Sequence, residues 1–299
     1  MVVTQLLGGL GNQMFQYAIG RHLAIINNTQ LLLDKSILTN WKPGKHAVNR
    51  DFDLDIFSLD SFFADRLITF RYHTDGALLP VKLLGRIVKP FFKEQYIRET
   101  SFAFDENVFE KKGDIYLSGT WQSYKYFLGI EKIIRSDFII KEPFNQNSKE
   151  LLQVIKSSNK SICLNVRKTD YLNVNATASI MKNIGVDYYE HALSVLESNI
   201  GNDFELFIFS DDLNWCMQHL NHLEYKKTFV SHEYAGRKFS NYLQLMMACN
   251  HFIIPNSTFA WWAAWLSNTT NKIIITPKVW FNNTSVNTDD LIPPTWIRL

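Results

Sequence analysis

Between residues 151 and 276 apolar runs alternate with helix-forming segments, and no other feature of this chain constrains its fold so strongly. Strands are expected near Ile162–Val166, Glu205–Ser210, Lys227–Val230, Phe252–Ile254 and Ile273–Thr276. Helices are expected near Leu151–Ser157, Tyr188–Ser198, Phe239–Ala248 and Thr258–Leu266. Strands that are apolar almost throughout and are separated by helices belong to a parallel sheet buried on both faces. The expected architecture of this half is a Rossmann-like α/β domain. Such sheets bind ligands beyond the carboxyl ends of their strands, so the polar residues that follow each apolar run are the functional candidates.

The run from Ser161 to Val166, with Asn165 inside it, stops at Arg167-Lys168-Thr169-Asp170-Tyr171. Two adjacent cations suit a pyrophosphate, because Arg offers a planar fork of donors and Lys a compact charge. Asp170 beside them can accept a proton. An Arg–Asp pair in an ordinary surface turn has the same letters. The run Leu206-Phe207-Ile208-Phe209 stops at Ser210-Asp211-Asp212. A carboxylate there can hold a base or ribose, or cap the helix that follows, and the two roles are compatible. The run from His251 to Pro255 leads into Asn256-Ser257-Thr258-Phe259. Asn256 or Ser257 is a natural N-cap, which leaves other first-turn amides to meet a phosphate. Trp261 and Trp265 share one face of that helix, which reads as core, with sugar stacking as the alternative.

At the other end of the chain, Val2 to Leu7, Gly8-Gly9-Leu10-Gly11-Asn12-Gln13 and Met14-Phe15-Gln16-Tyr17-Ala18 read as strand, glycine turn and helix. Gly9 and Gly11 match the first two glycines of a dinucleotide fingerprint, and Asp34 ends the next strand where its ribose-binding acid would stand. Met14 takes the third glycine's place and weakens that reading. The rest of the first half is less regular, with a strand near Asp114–Ser118 and a helix around Tyr124–Arg135. The polar stretch from Lys141 to Ser148 is the expected hinge.

Taken in order, these segments resemble the α-1,2-fucosyltransferase family. The resemblance rests on Gly8 to Tyr17, Gly119-Thr120-Trp121-Gln122-Ser123 with Tyr126-Phe127, Asn165 to Tyr171, Phe209 to Asp212 with Trp215, and Asn256 to Phe259 with Trp261-Trp262, and it covers nearly the whole chain. The family's central motif usually reads His-x-Arg-Arg-Gly-Asp-Tyr, and here Asn165, Lys168 and Thr169 replace its His, second Arg and Gly. Imidazole chemistry is therefore not available at Asn165, and Lys168 keeps the charge without the bidentate fork.

The resemblance implies an α/β glycosyltransferase of the GT-B type, with two Rossmann-like domains facing a cleft. Residues 1–145 would form the mainly acceptor-side domain and 146–299 the nucleotide-sugar domain. It implies inverting transfer of L-fucose from GDP-β-L-fucose to the 2-hydroxyl of a terminal galactose, on a bacterial O-antigen or other surface-glycan unit that can be lipid-linked. Arg167 and Asp170 are the expected catalytic residues, Asp170 as base or as the group that orients Arg167. The expected donor contacts are Asn165, Arg167, Lys168, Asp211, Asp212, Asn256, Ser257, Thr258 and Phe259. Gly9, Gly11, Asn12, Gln13, Trp121 and Gln122 would line the acceptor side, although turn formation alone explains the first four. No cofactor is expected, and charge on the departing GDP would be met by Arg167, Lys168 and the amides around Ser257 and Thr258 without a divalent ion.

Asp51-Phe52-Asp53-Leu54-Asp55 has the letters of a metal-binding Asp-x-Asp pair, but its alternation with Phe52, Leu54 and Ile56 reads as a strand with one wet face. A net charge of +2 gives no general attraction to nucleic acid. Cys163, Cys216 and Cys249 lie far apart in apolar surroundings and read as free thiols of a reducing compartment. A cytoplasmic protein is expected. Lys82, Arg86, Lys89 and Lys93 fall on one face of the apolar segment 81–93, which gives an expectation of peripheral contact with the inner membrane, a packed surface helix being the alternative. Three other functions remain to be weighed: a carbohydrate-binding protein without catalysis, disfavoured by the charges of Arg167, Lys168 and Asp170; a protein O-fucosyltransferase with the same donor; and a nicotinamide-dependent oxidoreductase.

Overall fold

The computed structural model describes residues 1–39, 50–59, 62–65, 68–69, 95–168, 180–283 and 285–299. Asp170, with Thr169 and Tyr171, and the basic segment 81–93 lie outside the described residues. The chain forms two compact units, one of Met1–Ile139 with Asn287–Ile292 and one of Ile140–Val286 with Pro293–Leu299.

In the first unit β1 (Val2–Gln5), β2 (Leu31–Asp34), β3 (Phe62–Phe63), β4 (Gln95–Arg98) and β5 (Ile115–Ser118) make a parallel sheet in the order β3-β2-β1-β5-β4. Helix α1 (Leu10–Ile26) connects β1 to β2. It lies so close to the sheet that a Cβ on Gly20 would sit 2.2 Å from Thr4 Oγ1 and 2.8 Å from Leu31 Cδ1. The close-approach glycine is therefore Gly20, further along the helix than the position Met14 occupies, and Met14 itself is core. Asp34 is 1% exposed and accepts hydrogen bonds from the Tyr116 hydroxyl and from Ser36 N at the start of α2 (Ser36–Thr39), an internal role unlike that of a ribose-binding acid.

Two expected elements of this unit take another form. Leu54–Ile56 is a 3₁₀ turn, not a strand: Leu54, Ile56 and Phe57 all point into the core, which a two-faced strand would not allow. The helix expected around Tyr124–Arg135 breaks into a 3₁₀ turn, Tyr124–Phe127, and α3 (Glu131–Asp137). Leu128 is not helical and Gly129 follows at φ +90°, a conformation that favours glycine.

The second unit holds β6 (Ser161–Val166), β7 (Glu205–Ser210), β8 (Lys226–Val230), β9 (His251–Ile253), β10 (Ile274–Thr276) and β11 (Ile297–Arg298), all parallel in the order β11-β10-β9-β6-β7-β8. Every residue of β6 and β7 is buried, as their apolar sequences require. Its helices are α4 (Gln146–Ser157), α5 (Val186–Ile200), α6 (Leu213–Leu220), α7 (Ser240–Met247) and α8 (Thr258–Leu266). Tyr189, Leu193 and Leu196 of α5 pack on Ile162, Leu164, Leu206 and Ile208. Each such side chain contributes roughly 1.5–3 kcal/mol when fully buried.

Helix α4 starts well before Leu151 because Asn145 Oδ1 accepts from Ser148 N at 2.8 Å. Residues 140–145 pack with the second unit: Glu142 pairs with Arg237 at 2.6 Å, and Asn241 Nδ2 donates to Pro143 O at 3.2 Å. The division thus falls between Ile139 and Ile140, ahead of the expected 145/146 boundary. Segment Asn287–Ile292 joins the first unit, where Asp290 pairs with Lys125 and accepts from Phe104 N at 2.8 Å.

Candidate active site

In the second sheet β6 is flanked by β7 on one side and by β9 on the other, and successive strands proceed outward from each. The carboxyl ends of β6 and β9 therefore meet at the topological switch point, where open α/β sheets take ligands. The first brings Arg167, the second Asn256 and the start of α8.

Arg167 is the first residue past β6, and about a third of its side chain is exposed (32%). Its Nε lies 3.2 Å from Asp211 Oδ2, and Asp211 Oδ1 accepts from Lys168 N at 2.8 Å. Asp211 thus orients Arg167 from the neighbouring strand end. Asp212 has the other role anticipated for this pair: it caps α6, its Oδ1 accepting from Trp215 N at 2.9 Å. Asn165 is buried and donates from Nδ2 to Phe209 O at 3.1 Å, which ties β6 to β7.

Lys168 is not the second phosphate cation that the sequence leads one to expect beside Arg167: it is 3% exposed and turned inward. Its Nζ donates to Asn183 Oδ1 at 3.0 Å and to Ile184 O, and stands 4.1 Å from the centre of the Trp215 ring. Burial lowers its pKa below the ordinary lysine value, against the opposing charges of Asp211 and Asp212.

Asn256 is likewise turned inward. Its Nδ2 donates to Lys182 O at 2.8 Å and to Trp280 O at 2.7 Å, so it anchors the approach to α8, and Ser257 takes the N-cap position without a side-chain capping bond. Ser257, Thr258 and Phe259 are partly exposed at the head of the helix. Trp261 is fully buried and packs against Trp265 and Trp296, so it belongs to the core and not to a sugar platform.

The carboxyl edge of β8 adds groups that no sequence motif marks. His232 Nε2 meets Ser210 O at 2.9 Å, and the Tyr242 hydroxyl donates to Val230 O at 2.6 Å. Between them Lys238 and Phe239 hold left-handed backbone (φ 49° and 61°), costly for side chains of this size. Phe239 remains 45% exposed with its ring edge-on to His232 and Tyr242.

The first unit has its own switch point at β1 and β5, which gathers the glycine turn and the turn 119–122. Gly8 holds φ +75°, a left-handed conformation that favours glycine, and a Cβ there would also displace the Asn12 side chain. Gly9 caps α1 and is partly exposed, while Gly11 is buried inside the helix. Asn12 Oδ1 accepts from Gln122 Nε2 at 3.1 Å, and Gln16 bridges the Leu7 and Gly119 backbones.

Three of the expected acceptor-side side chains, Gln13, Trp121 and Gln122, are buried instead. Gln13 is fully buried, its amide engaged with Gly8 O, Asp51 O and Asp53 N, which fastens loop 51–53 to the glycine turn. Trp121 is 1% exposed at φ 55°. Glu99 holds that strained turn, accepting from Thr120 N, Thr120 Oγ1 and Trp121 N at 2.6–2.9 Å. Among the described residues no three His, Cys, Asp or Glu side chains are grouped as metal ligands would be, and Gln13 takes the backbone of the Asp51–Asp53 stretch.

Two parallel-sheet α/β units, each with polar turns at its switch point, define a fold of the GT-B glycosyltransferase type. It is shared with a GDP-bound point mutant of Arabidopsis thaliana FUT1, which aligns with a TM-score of 0.51 and 12% identity over 91% of this chain and 69% of that one. All 299 residues match glycosyl transferase family 11, and the chain belongs to that family and is a glycosyltransferase. It is 31% identical to an Escherichia coli α-1,2-colitosyltransferase over 100% of this chain and 99% of that protein. It is 29% identical to the Escherichia coli O-antigen biosynthesis glycosyltransferase WbnK, over 98% of this chain and 99% of the relative.

Proposed function

We propose that this protein transfers L-fucose from GDP-β-L-fucose to the 2-hydroxyl of a terminal galactose, with inversion, during assembly of a bacterial O-antigen or related surface glycan. The observation that carries this reading is Arg167, held by Asp211 at the switch point of the second sheet beside the start of α8. That arrangement suits a pyrophosphate leaving group: negative charge grows on it as the glycosidic bond breaks, and a fixed guanidinium with helix N-terminal amides stabilises that charge without reorganising. No divalent ion is required in this scheme. Phe239 offers the purine an exposed aromatic face at the edge of the same sheet. Asp170 is the proposed base for the galactose hydroxyl, and Gly9 and Asn12 are proposed to line the acceptor side.

A second donor is favoured by the full-length similarity to an α-1,2-colitosyltransferase. Colitose is L-fucose without its 3-hydroxyl, so one GDP site fits both and the choice rests on whether a group hydrogen-bonds that hydroxyl. Among the described residues no helix is long and apolar enough to cross a membrane. Contact with the inner membrane, through Lys82, Arg86, Lys89 and Lys93, is part of the proposal, as is a lipid-linked acceptor.

The test is GDP release in EDTA from GDP-fucose and GDP-colitose, each with a panel of terminal-galactose disaccharides. Galactose-dependent turnover with either donor is expected. Turnover that needs a divalent ion would remove the metal-free mechanism, and turnover only with a protein acceptor would replace the galactoside reading. Reduction of a nicotinamide, with no response to GDP, would reject the whole scheme.

A further inference from the structure

We propose that Lys168 is a positioning residue for the donor site: from inside the fold it braces Arg167 and the start of α8 against a common segment, Lys182–Ile184. The inference rests on reading the switch point as the GDP site and goes beyond it.

Arg167 and Lys168 leave β6 in opposite senses. Arg167 stays partly exposed, while Lys168 turns in and grips Asn183 Oδ1 and Ile184 O with its ammonium over Trp215. An ammonium has three donors, and here two oxygens and one aromatic face receive them. The segment it grips is also held from the other side. Asn256 Nδ2 donates to Lys182 O at 2.8 Å and to Trp280 O at 2.7 Å, and Lys182 N donates to Trp280 O at 3.0 Å. Asn256 immediately precedes the cap of α8. One short stretch is therefore tied at Asn183–Ile184 to the residue after Arg167 and at Lys182 to the residue before Ser257.

The guanidinium and the helix amides must converge on the same phosphates, and errors of about 1 Å at such sites cost large factors in rate. A brace between them meets that need. A buried charge is a poor way to gain stability, since an apolar side chain of similar volume often serves as well. Its presence here points to geometry. Among the described residues, the charged and titratable groups around the ammonium are Asp211, Asp212 and the thiol of Cys216, which burial pushes up to about 12, with His219 stacked on the Trp215 ring.

The experiment compares wild type with Lys168→Met, Lys168→Arg and Asn183→Ala, measuring GDP affinity by calorimetry, steady-state KM and kcat for the GDP-sugar, and the melting temperature without ligand. Lys168→Met is expected to weaken GDP roughly tenfold or more and to raise KM more than it lowers kcat, at nearly unchanged melting temperature, the scale set by losing a supporting contact to a ligand-binding group. Asn183→Ala should move the same way to a smaller extent. Lys168→Arg should restore affinity. In wild type, affinity should also fall at alkaline pH, below the ordinary lysine value of about 10.4, more steeply than in Lys168→Arg, which stays charged and shares the ligand's own titration. Unchanged GDP affinity in Lys168→Met would overturn the inference while leaving the donor site standing. Loss of affinity in step with melting temperature, unrestored by Arg, would also overturn it. Failure of wild type to bind GDP would remove both readings.

Discussion

Asp211 receives Arg167 on one carboxylate oxygen and the backbone amide of Lys168 on the other, so a single side chain at the end of β7 fixes both the direction of the guanidinium and the turn that carries it. The pair couples the carboxyl ends of two adjacent parallel strands. Asp211→Asn keeps the shape and one acceptor but removes the charge. We expect kcat/KM for the GDP-sugar to fall about 10–100-fold, as for other supports of a ligand-binding group. Arg167→Lys should lose about 10²–10³, because an ammonium cannot reproduce the fork. Steady-state kinetics with circular dichroism as a folding control checks both, and wild-type turnover in Arg167→Lys would dismiss the pyrophosphate assignment.

Gly20 makes a prediction about the fold alone. Adding a methyl group there places it against Thr4 Oγ1, and overpacking of that kind costs about 1–3 kcal/mol. Gly20→Ala should lower the urea midpoint, and Thr4→Ala in the same chain should recover part of the loss, since the two residues share the clash. Equal midpoints for Gly20→Ala and wild type would mean that helix and strand do not approach so closely.

The strands of the second unit were legible because both faces of β6 and β7 are buried, which writes them as unbroken apolar runs. β11 was not, because two residues after Pro293-Pro294-Thr295-Trp296 carry no period; it is held by Lys278 N to Leu299 O and Leu299 N to Thr276 O. Arg167 and Asp211 meet at the strand ends that the apolar runs mark, yet letters alone do not say which way a side chain turns. Lys168, Gln13, Asn256 and Trp121 have the residue types of a binding surface and are buried in the structure. Glu99 had no sequence signal, being one charge among several after a short strand that the chain's periodicity does not mark.

The turn that Glu99 supports offers a test of the acceptor side. Glu99→Ala would strand Thr120 N and Trp121 N, each loss of that kind costing about 1–3 kcal/mol, and would release the left-handed backbone at Trp121. The neighbouring Asn12–Gln122 contact should loosen with it. Expected are a lower melting temperature and a raised KM for the galactoside, with GDP affinity kept, because Glu99 and the proposed donor residues belong to different units. A KM rise confined to the GDP-sugar would show that this turn does not serve the acceptor.

His251 sets a pH dependence whose sign follows from its hydrogen bond. At the start of β9 its Nδ1 accepts from Ile273 N at 3.0 Å, which only the neutral ring can do. Burial, and then the charge of Lys160, hold its pKa below the ordinary value of about 6.5. A folded-state pKa lowered in this way gives stability that is present above the unfolded value and is lost as pH falls through the folded one. The unfolding free energy should therefore decline as pH drops below about 6.5, and His251→Asn, which keeps an acceptor and cannot titrate, should show a shallower decline. Because β9 leads directly into Asn256 and α8, GDP affinity is expected to weaken in the same window. Urea titrations at several pH values on both proteins measure the difference, and parallel slopes would assign the acid sensitivity to other groups.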